Sequence, residues 1–369
     1  MSITVGSDKA RSRLIFALSI VALCSLNLVL TAILSHGWSN VADKVCQWDC
    51  LWYLDIAKNG YSLEPRLEDT LRAGQANWAF FPLYPALVAL VGYIFHASLV
   101  WSGLAVNLCL WPILIWLCGC DLTERGLKIK PFLLPLAFVL YPLNVWYTAQ
   151  YSEALYGVIL MASIAALRAR WIVASSVSCL LLALTRPTGF IMTVCLGAWW
   201  MFSQERDGLV RDRVRESALV IASGGFGLSL YVLYLFHHIG DGFAFAHVEI
   251  AWHKHFRLFF ISIIHGFTHK RHILDSIFAV AAFPLITIMA FLPKWRLNAL
   301  LLAATAFLAS STGINSIGRY SFANPLFMEF ICYQIIKLNP ILRTIALITI
   351  AVLHLVTMHF WMDGAKELT

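Results

Sequence analysis

Asp49 stands in the stretch QWDCLWYLDIAKNGY, residues 47–61, between a long apolar segment and the turn signal Asn59-Gly60. A carboxylate at the mouth of an apolar cavity suits general-base work, because it accepts the proton of an attacking hydroxyl. Trp48 beside it would stack on a sugar face or shape the pocket. Tyr53, Asp55 and Lys58 follow within ten residues. In a helix, Asp55 points about 120° away from Asp49, which suits a structural or acceptor-orienting role. The stretch also reads as a plain interfacial helix, with Asp49 as its cap and Trp52, Tyr53 and Ile56 facing the membrane interface.

Three later stretches add charge in apolar surroundings. YTAQYSEALY, residues 147–156, sets Tyr151 and Glu153 among tyrosines; LTRPTG, residues 184–189, buries Arg186; NSIGRYSFANPLF, residues 315–327, brings Arg319 and Tyr320 to the start of an apolar run. Ionisable groups within membrane spans cost roughly 2.5 to 3.5 kcal/mol each on insertion scales and face a cavity or a partner. Glu153 and Arg186 therefore line a pocket, pair with each other or sit in loops. A guanidinium presents forked donors that match phosphate oxygens, so Arg319 is the first candidate for an anionic group, with Arg186 or Lys58 next.

Such residues are useful only if the chain brings them together, and its composition says how. Of 369 residues, 60% are hydrophobic and 13% charged, whereas soluble domains carry about 25% charged residues. The expected fold is all-α, a polytopic transmembrane helical bundle formed by residues 1–369 as a single membrane-embedded domain. Lys9, Arg11 and Arg13 precede the first apolar run, 14–34, which is too long for a signal-peptide core and lacks a small-residue cleavage site. That run is expected to be a retained span with its basic flank in the cytoplasm. Residues 38–80 then form a first outer loop, containing a short helix that begins near Asp49 and stops at Gly60.

Further apolar segments cover 81–95, 100–120, 131–147, 154–167, 172–184, 189–202, 219–236, 273–292, 297–311, 322–336 and 341–360. The basic loop 204–216, with Arg206, Arg211, Arg213 and Arg215, belongs in the cytoplasm. Six segments lie between it and the outer Asp49 loop, and an odd number of crossings is required. One of them fails to cross, and the break at Arg186-Pro187 marks the suspect, since proline removes a backbone donor. About eleven spans result. The weakly amphipathic piece 243–265 would lie along the outer surface.

Several function classes drop out. The net charge of +7 resides mostly in short loops that set orientation, which argues against nucleic acid as a partner. No Walker motif or G-x-G-x-x-G follows a strand, which disfavours a nucleotide site. Eight of the twelve histidines fall between His237 and His272, in no compact zinc spacing and with no cysteine or carboxylate cluster, so no metal site is expected. Most cysteines sit inside apolar runs as small hydrophobes. Cys46 and Cys50 bracket Asp49, and their spacing leaves both a disulfide and two free thiols open.

In order and interval, WDCLWYLDIAKNGY, NWAFFPLYP, YSEALY, TRPTG and GRY resemble the PIG-V family of GPI-anchor mannosyltransferases and its bacterial relatives, over about residues 38–330. That family belongs to the GT-C class of multi-span glycosyltransferases. The resemblance implies an acidic catalytic base in the first outer loop, which maps onto Asp49, and helical spans around an outward-facing cavity. It implies transfer of a hexose, mannose in the first instance, from a polyprenyl-phosphate sugar to a lipid, glycan or protein acceptor on the non-cytoplasmic side. The donor is a substrate, and no separate cofactor is implied. Trp48, Tyr53, Asp55, Lys58, Tyr151, Glu153, Arg186, Arg319 and Tyr320 become the candidate substrate-binding set. The expected setting is a bacterial inner membrane with the site facing the periplasm, among membrane lipids and with room for an accessory membrane subunit. The sequence departs from the family at Cys50, where a small residue is expected, and in TRPTG, where R-x-N-G is common. A transporter or flippase of lipid-linked sugars is the rival reading, but it would more often show duplicated halves, and none are detected.

Overall fold

The computed structural model describes residues 3–66, 72–202, 209–269 and 272–365. Arg206, in the basic loop, and Lys270 and Arg271, in the histidine-rich stretch, lie outside the described residues. Helix α1 (Ile3–Leu34) leads through α2 (Val41–Val45) into α3 (Asp49–Asn59), α4 (Leu83–Phe95) and α5 (Leu99–Glu124). Then come α6 (Leu133–Val139), α7 (Val145–Thr148), α8 (Glu153–Arg168), α9 (Ile172–Ala183), α10 (Pro187–Phe202) and α11 (Val210–Ile239). The chain continues through α12 (Ala244–His247), α13 (Phe259–Thr268), α14 (Ile273–Phe291) and α15 (Arg296–Thr312), and then α16 (Ile317–Ser321), α17 (Pro325–Lys337) and α18 (Pro340–Met362). No strand occurs among the described residues.

Each apolar segment of the sequence becomes helical, but the span count differs from the expected eleven. Among the described residues five helices, the apolar part of α1 with α5, α11, α14 and α18, are long and apolar enough to cross a membrane. The bent pair formed by residues 142–148 and α8 makes six, and α4, α9, α10 and α13 are shorter apolar helices. The largest departure is 131–147. It is not one span but α6, a 3-10 turn at Pro142–Asn144 and α7, after which the chain turns by 94° into α8. Pro142 and Asn144 punctuate the run, and hydropathy alone does not register them. A break also falls at Thr185-Arg186, between α9 and α10, where Pro187 opens the new helix at a position that needs no N–H.

The core runs between α5, α6, α7 and α17, where Trp111, Phe138, Tyr147, Leu114 and Phe327 are buried. Trp111 and Tyr147 pack with ring centroids 4.8 Å apart. Helices α9 and α11 approach backbone to backbone at Gly227, where a Cβ would lie 2.3 Å from the Leu180 carbonyl oxygen. The outward faces stay apolar: α1 exposes Leu14, Leu18 and Val21, and α18 exposes Ile341, Ile345, Ile348 and Val352. In water such faces would be unfavourable, whereas in lipid they are solvated.

A charged cluster staples one end of the bundle. Arg125 Nη2 lies 2.5 Å from Asp121 Oδ2 and 2.6 Å from Glu329 Oε1. Arg168, at the end of α8, bonds to the other Asp121 oxygen. Asn298 donates to Glu329 Oε2 at 2.9 Å, and Arg125 sits 4.4 Å over the Trp295 ring. Through these contacts α5, α8, α15 and α17 are tied together.

Candidate active site

At the other end of α8, three interruptions in the helices meet. The first follows α1. Cys46 and Cys50 form a disulfide, which settles the alternative the sequence left open, and Trp48 between them has φ +51°, a strained value for a residue with a side chain. Helix α3 starts at the next residue, Asp49, and ends at Gly60, whose φ of +76° suits glycine. The expected helix from Asp49 to Gly60 is therefore present. Its aromatics face elsewhere than expected: Trp52, Tyr53 and Ile56 are buried in protein rather than turned to the membrane interface. Trp52 stacks on Phe80, while Tyr53 packs edge-on against Phe80 and Tyr84. NWAFFPLYP thus covers α3, and covering removes it from lipid.

The second interruption is the bend between α7 and α8. Breaking a helix strands backbone groups, which must find partners away from water. Asn107 of α5 donates to the carbonyls of Ala149 and Tyr151, the latter at 3.0 Å, and Gln150 donates to the Ala42 carbonyl at 2.7 Å. The bend so secured aims Tyr151, Ser152 and Glu153 at α3. The Tyr151 hydroxyl accepts from the Asp49 amide and donates to the Gln47 carbonyl, both at 3.0 Å, clamping the residues on either side of Trp48. Glu153 lies in the first turn of α8, the end where the helix dipole favours a carboxylate.

The third interruption, the α9–α10 break, brings Arg186, and the short helix α16 adds Arg319. From the α9–α10 break, Arg186 donates through Nε to Ser152 Oγ at 3.0 Å and through Nη2 to Glu153 Oε1. Ser152 Oγ also lies 2.8 Å from the Tyr53 hydroxyl. Short helix α16 supplies Arg319, which donates through Nη1 to Asp49 Oδ2 at 2.6 Å, across 270 positions of sequence. Its Nε lies 3.4 Å from Glu153 Oε1, an ion pair without hydrogen-bond geometry. Tyr141 and Tyr147 hold the turn behind α16 by donating to the carbonyls of Phe322 and Ala323. The result is two carboxylates and two guanidiniums ringed by tyrosines. Arg319 sits 5.5 Å over Tyr151 and 5.1 Å over Tyr320, and Arg186 sits 5.6 Å over Tyr156.

A cavity opens beside them, lined by Tyr147, Tyr156, Thr188, Tyr320 and Asn324 together with Glu153, Arg186 and Arg319, with room for about one water. Two polar atoms in this ring, Glu153 Oε2 and Arg319 Nε, are buried without a hydrogen-bond partner. Buried polar atoms ordinarily find partners, so these two are poised for a polar ligand. Asp49 is the most accessible of the four charged groups, 25% exposed against 3% for Glu153. Electrostatics at the rim follow the same ring. Burial works to raise the pKa of the Tyr320 hydroxyl, but Lys254, Arg319 and Arg186 outweigh it and bring it below the ordinary phenol value.

Of the residues singled out in the sequence, Asp49, Tyr53, Tyr151, Glu153, Arg186, Arg319 and Tyr320 are brought together. Trp48 flanks them, half-buried, with its indole N–H unpartnered. Lys58 is not among them: it is exposed, nine residues along α3 and roughly 13 Å up its axis from Asp49. Asp55 is engaged elsewhere, accepting from Asn59 at 2.9 Å and Asn77 at 3.1 Å, so that it fastens α3 to the loop after it. Sequence reasoning passed over Ser152, Tyr147, Tyr156 and Lys254. Ser152 lay within the quoted YSE, and a hydroxyl next to a buried carboxylate was its only mark. No group of three or more His, Cys, Asp or Glu among the described residues could hold a metal ion.

Among the described residues, five helices suited to crossing a bilayer and a charged, tyrosine-lined site between broken helices define an integral membrane protein. Residues 11–207, more than half of the chain, match the mannosyltransferase (PIG-V) family. The chain belongs to that family and is a membrane glycosyltransferase. Among curated proteins none matches. Among solved structures, the crystal structure of the Archaeoglobus fulgidus oligosaccharyltransferase in complex with Zn and sulfate is similar, at 13% identity and a TM-score of 0.46. The likeness covers 97% of this chain and 53% of that one, so the present chain spans about half the length of that protein.

Proposed function

We propose that this protein moves a mannosyl residue from a polyprenyl-phosphate donor to a hydroxyl of a lipid, glycan or protein acceptor, with inversion at the anomeric carbon, in the manner of the GT-C class. Asp49 takes the proton of the acceptor hydroxyl as its oxygen bonds to the anomeric carbon. The bond from that carbon to the phosphate oxygen breaks, and its electron pair leaves with the lipid phosphate. Arg319, with Arg186 behind it, receives the growing charge on that phosphate.

The observation that carries this reading is the bond between Asp49 and Arg319. Each is the other's counter-ion, so an arriving phosphate that takes Arg319 releases Asp49 to act as a base. Glu153 Oε2 and Arg319 Nε, which make no hydrogen bond in the resting site, offer the incoming sugar phosphate an acceptor and a donor. The cavity is too small for a hexose as it stands, so donor binding requires the site to widen. One carboxylate suffices for a single displacement, consistent with Asp55 being tied to Asn77.

Sidedness is supported by the disulfide. Cross-links of this kind form in oxidising compartments, and Cys46 and Cys50 flank the proposed base, so the site faces away from the cytoplasm. In a bacterium this means the inner membrane with the site toward the periplasm. Residues 1–369 act as one membrane-embedded unit.

The test is transfer by the purified protein in lipid nanodiscs, supplied with labelled polyprenyl-phosphate mannose and candidate acceptors. Release of polyprenyl phosphate that requires an acceptor is expected, and Asp49→Asn should stop it. Transport of intact donor without release, or labelling of a cysteine at position 49 from the cytosolic side, overturns the proposal.

A further inference from the structure

Lys254 stands next to the hairpin that carries Arg319, on an element with no part in the ring described above. It lies in the connection, residues 253–258, between the 3-10 turn Val248–Trp252 and α13. This connection is fastened to the hairpin that carries Arg319. The Arg257 amide donates to the Ser311 carbonyl at 2.7 Å, and Lys254 Cγ lies 3.7 Å from where a Cβ on Gly313 would sit. Gly313 closes α15, and α16 with Arg319 and Tyr320 begins four residues later. The Lys254 ammonium is 2.7 Å from Glu249 Oε2, with the two side chains 20% and 28% exposed. Three cations from three separate elements, Lys254, Arg319 and Arg186, thus act on Tyr320.

The charge balance of the reaction gives this convergence a use. The donor is a phosphodiester with one negative charge. The departing lipid phosphate is a monoester and gains a second charge as its bond to the sugar breaks. Arg319 and Arg186 already face Asp49 and Glu153. Glu153, 3% exposed, cannot give up its partner without being left buried and unpaired, which is costly. Glu249 is more than a quarter exposed, so water can solvate it once its partner leaves.

We infer that Lys254 is a third cation for the departing lipid phosphate and that Glu249 holds it until the anion takes it. This rests on the donor being a polyprenyl-phosphate sugar. It assigns the 244–258 segment a part in the reaction, and it makes Lys254 a substrate-binding residue whose contribution grows as the bond to the sugar breaks.

The experiment measures binding of a short-chain polyprenyl monophosphate to the full-length protein in nanodiscs, alongside transfer kinetics. Lys254→Gln should weaken binding roughly tenfold or more, the scale of a lost charge-assisted hydrogen bond, and lower kcat more than it raises the donor KM. Lys254→Arg should restore most of both and serves as the readout if the glutamine variant unfolds. Glu249→Gln removes the competing carboxylate and should tighten binding. Unchanged binding in Lys254→Gln, or weakened binding in Glu249→Gln, overturns the inference, because a merely structural pair loses from either side. A wild-type protein that binds no polyprenyl phosphate overturns the donor assignment and this inference together. Binding that needs Lys254 in a protein whose Asp49→Asn variant stays active overturns only the choice of base.

Discussion

Glu153 and Arg168 stand at opposite ends of α8, roughly 22 Å apart along its axis, each within a cluster of two carboxylates and two arginines. At the Arg168 end the carboxylates are sealed, Asp121 at 6% exposure and Glu329 at 0%, and Arg125 is wedged between them against the Trp295 ring. At the Glu153 end one carboxylate, Asp49, is 25% exposed, a cavity adjoins, and two polar atoms lack partners. The same four charges make a staple in one place and a site in the other. Composition does not separate them, and neither does hydrogen bonding, since Arg125 Nε in the distal cluster is also buried without a partner; access and the adjoining cavity do. The distal cluster joins continuous helices, whereas the site lies where three helices are interrupted and backbone as well as side chains face inward.

If that contrast holds, the two clusters answer differently to the loss of one charge. Asp49→Asn should lower kcat by roughly 10²- to 10⁴-fold, the range of a lost general base, and leave the unfolding transition in detergent close to that of the parent. Arg125→Ala should do the reverse. It leaves Glu329 buried without its cation and Asp121 with Arg168 alone, and should cost about 3 to 5 kcal/mol of stability, while the specific activity of the folded fraction stays within about twofold, the scatter expected of a distant, uncoupled position. Equal losses of activity in both variants would end the distinction.

A smaller effect tests how the site is held. Replacing Cys46 and Cys50 together by alanine frees the loop that sets Asp49 opposite Arg319. A misplacement of an ångström is enough to slow a reaction substantially, so kcat should fall roughly tenfold with the donor KM little changed. An equal fall in an Arg125→Ala background would indicate independent sites. The smallest effect lies outside both clusters. The Asp241 carboxylate, bonded by His247 at 2.7 Å and by the Phe243 amide at 2.9 Å, has its pKa held below the ordinary carboxylate range. A lowered folded pKa contributes stability above the unfolded value and loses it as pH falls through the folded one. The pair is largely exposed, so the contribution is slight. The unfolding midpoint should show a small extra decline below about pH 4, and Asp241→Asn should lower the midpoint slightly at neutral pH and remove that decline, so that variant and parent converge in acid.

Much of the candidate site was legible because its residues violate their surroundings. Glu153 and Arg186 stand in apolar runs, Asp49 and Arg319 at the ends of such runs, and the cost of burying charge marks all four. Glu329, within LFMEFICY, breaks the same rule and went unremarked, as did Asp121, Arg125 and Arg168, which resembled ordinary loop charges at the ends of spans. Lys58 misled for the opposite reason: proximity in sequence to Asp49 stood in for proximity in space, and helix rise carried it away. The pairing of Asp49 with Arg319 across 270 positions has no local signature at all. Helices were placed well by hydropathy, but 131–147 shows its limit. A window average does not register a proline and an asparagine that turn one crossing into three short pieces, and those pieces carry the bend on which the site is built.

The cross-link beside Asp49 also bears on how the molecule is made. A newly synthesised chain inserts with both thiols reduced, and on the topology proposed above they meet an oxidant only after that loop has been exported. Catalytic competence then arrives later than membrane insertion, as a separate maturation event. Protein produced in a host that lacks exported thiol oxidases would fill the membrane and purify normally, yet transfer sugar slowly until mild oxidation completed it.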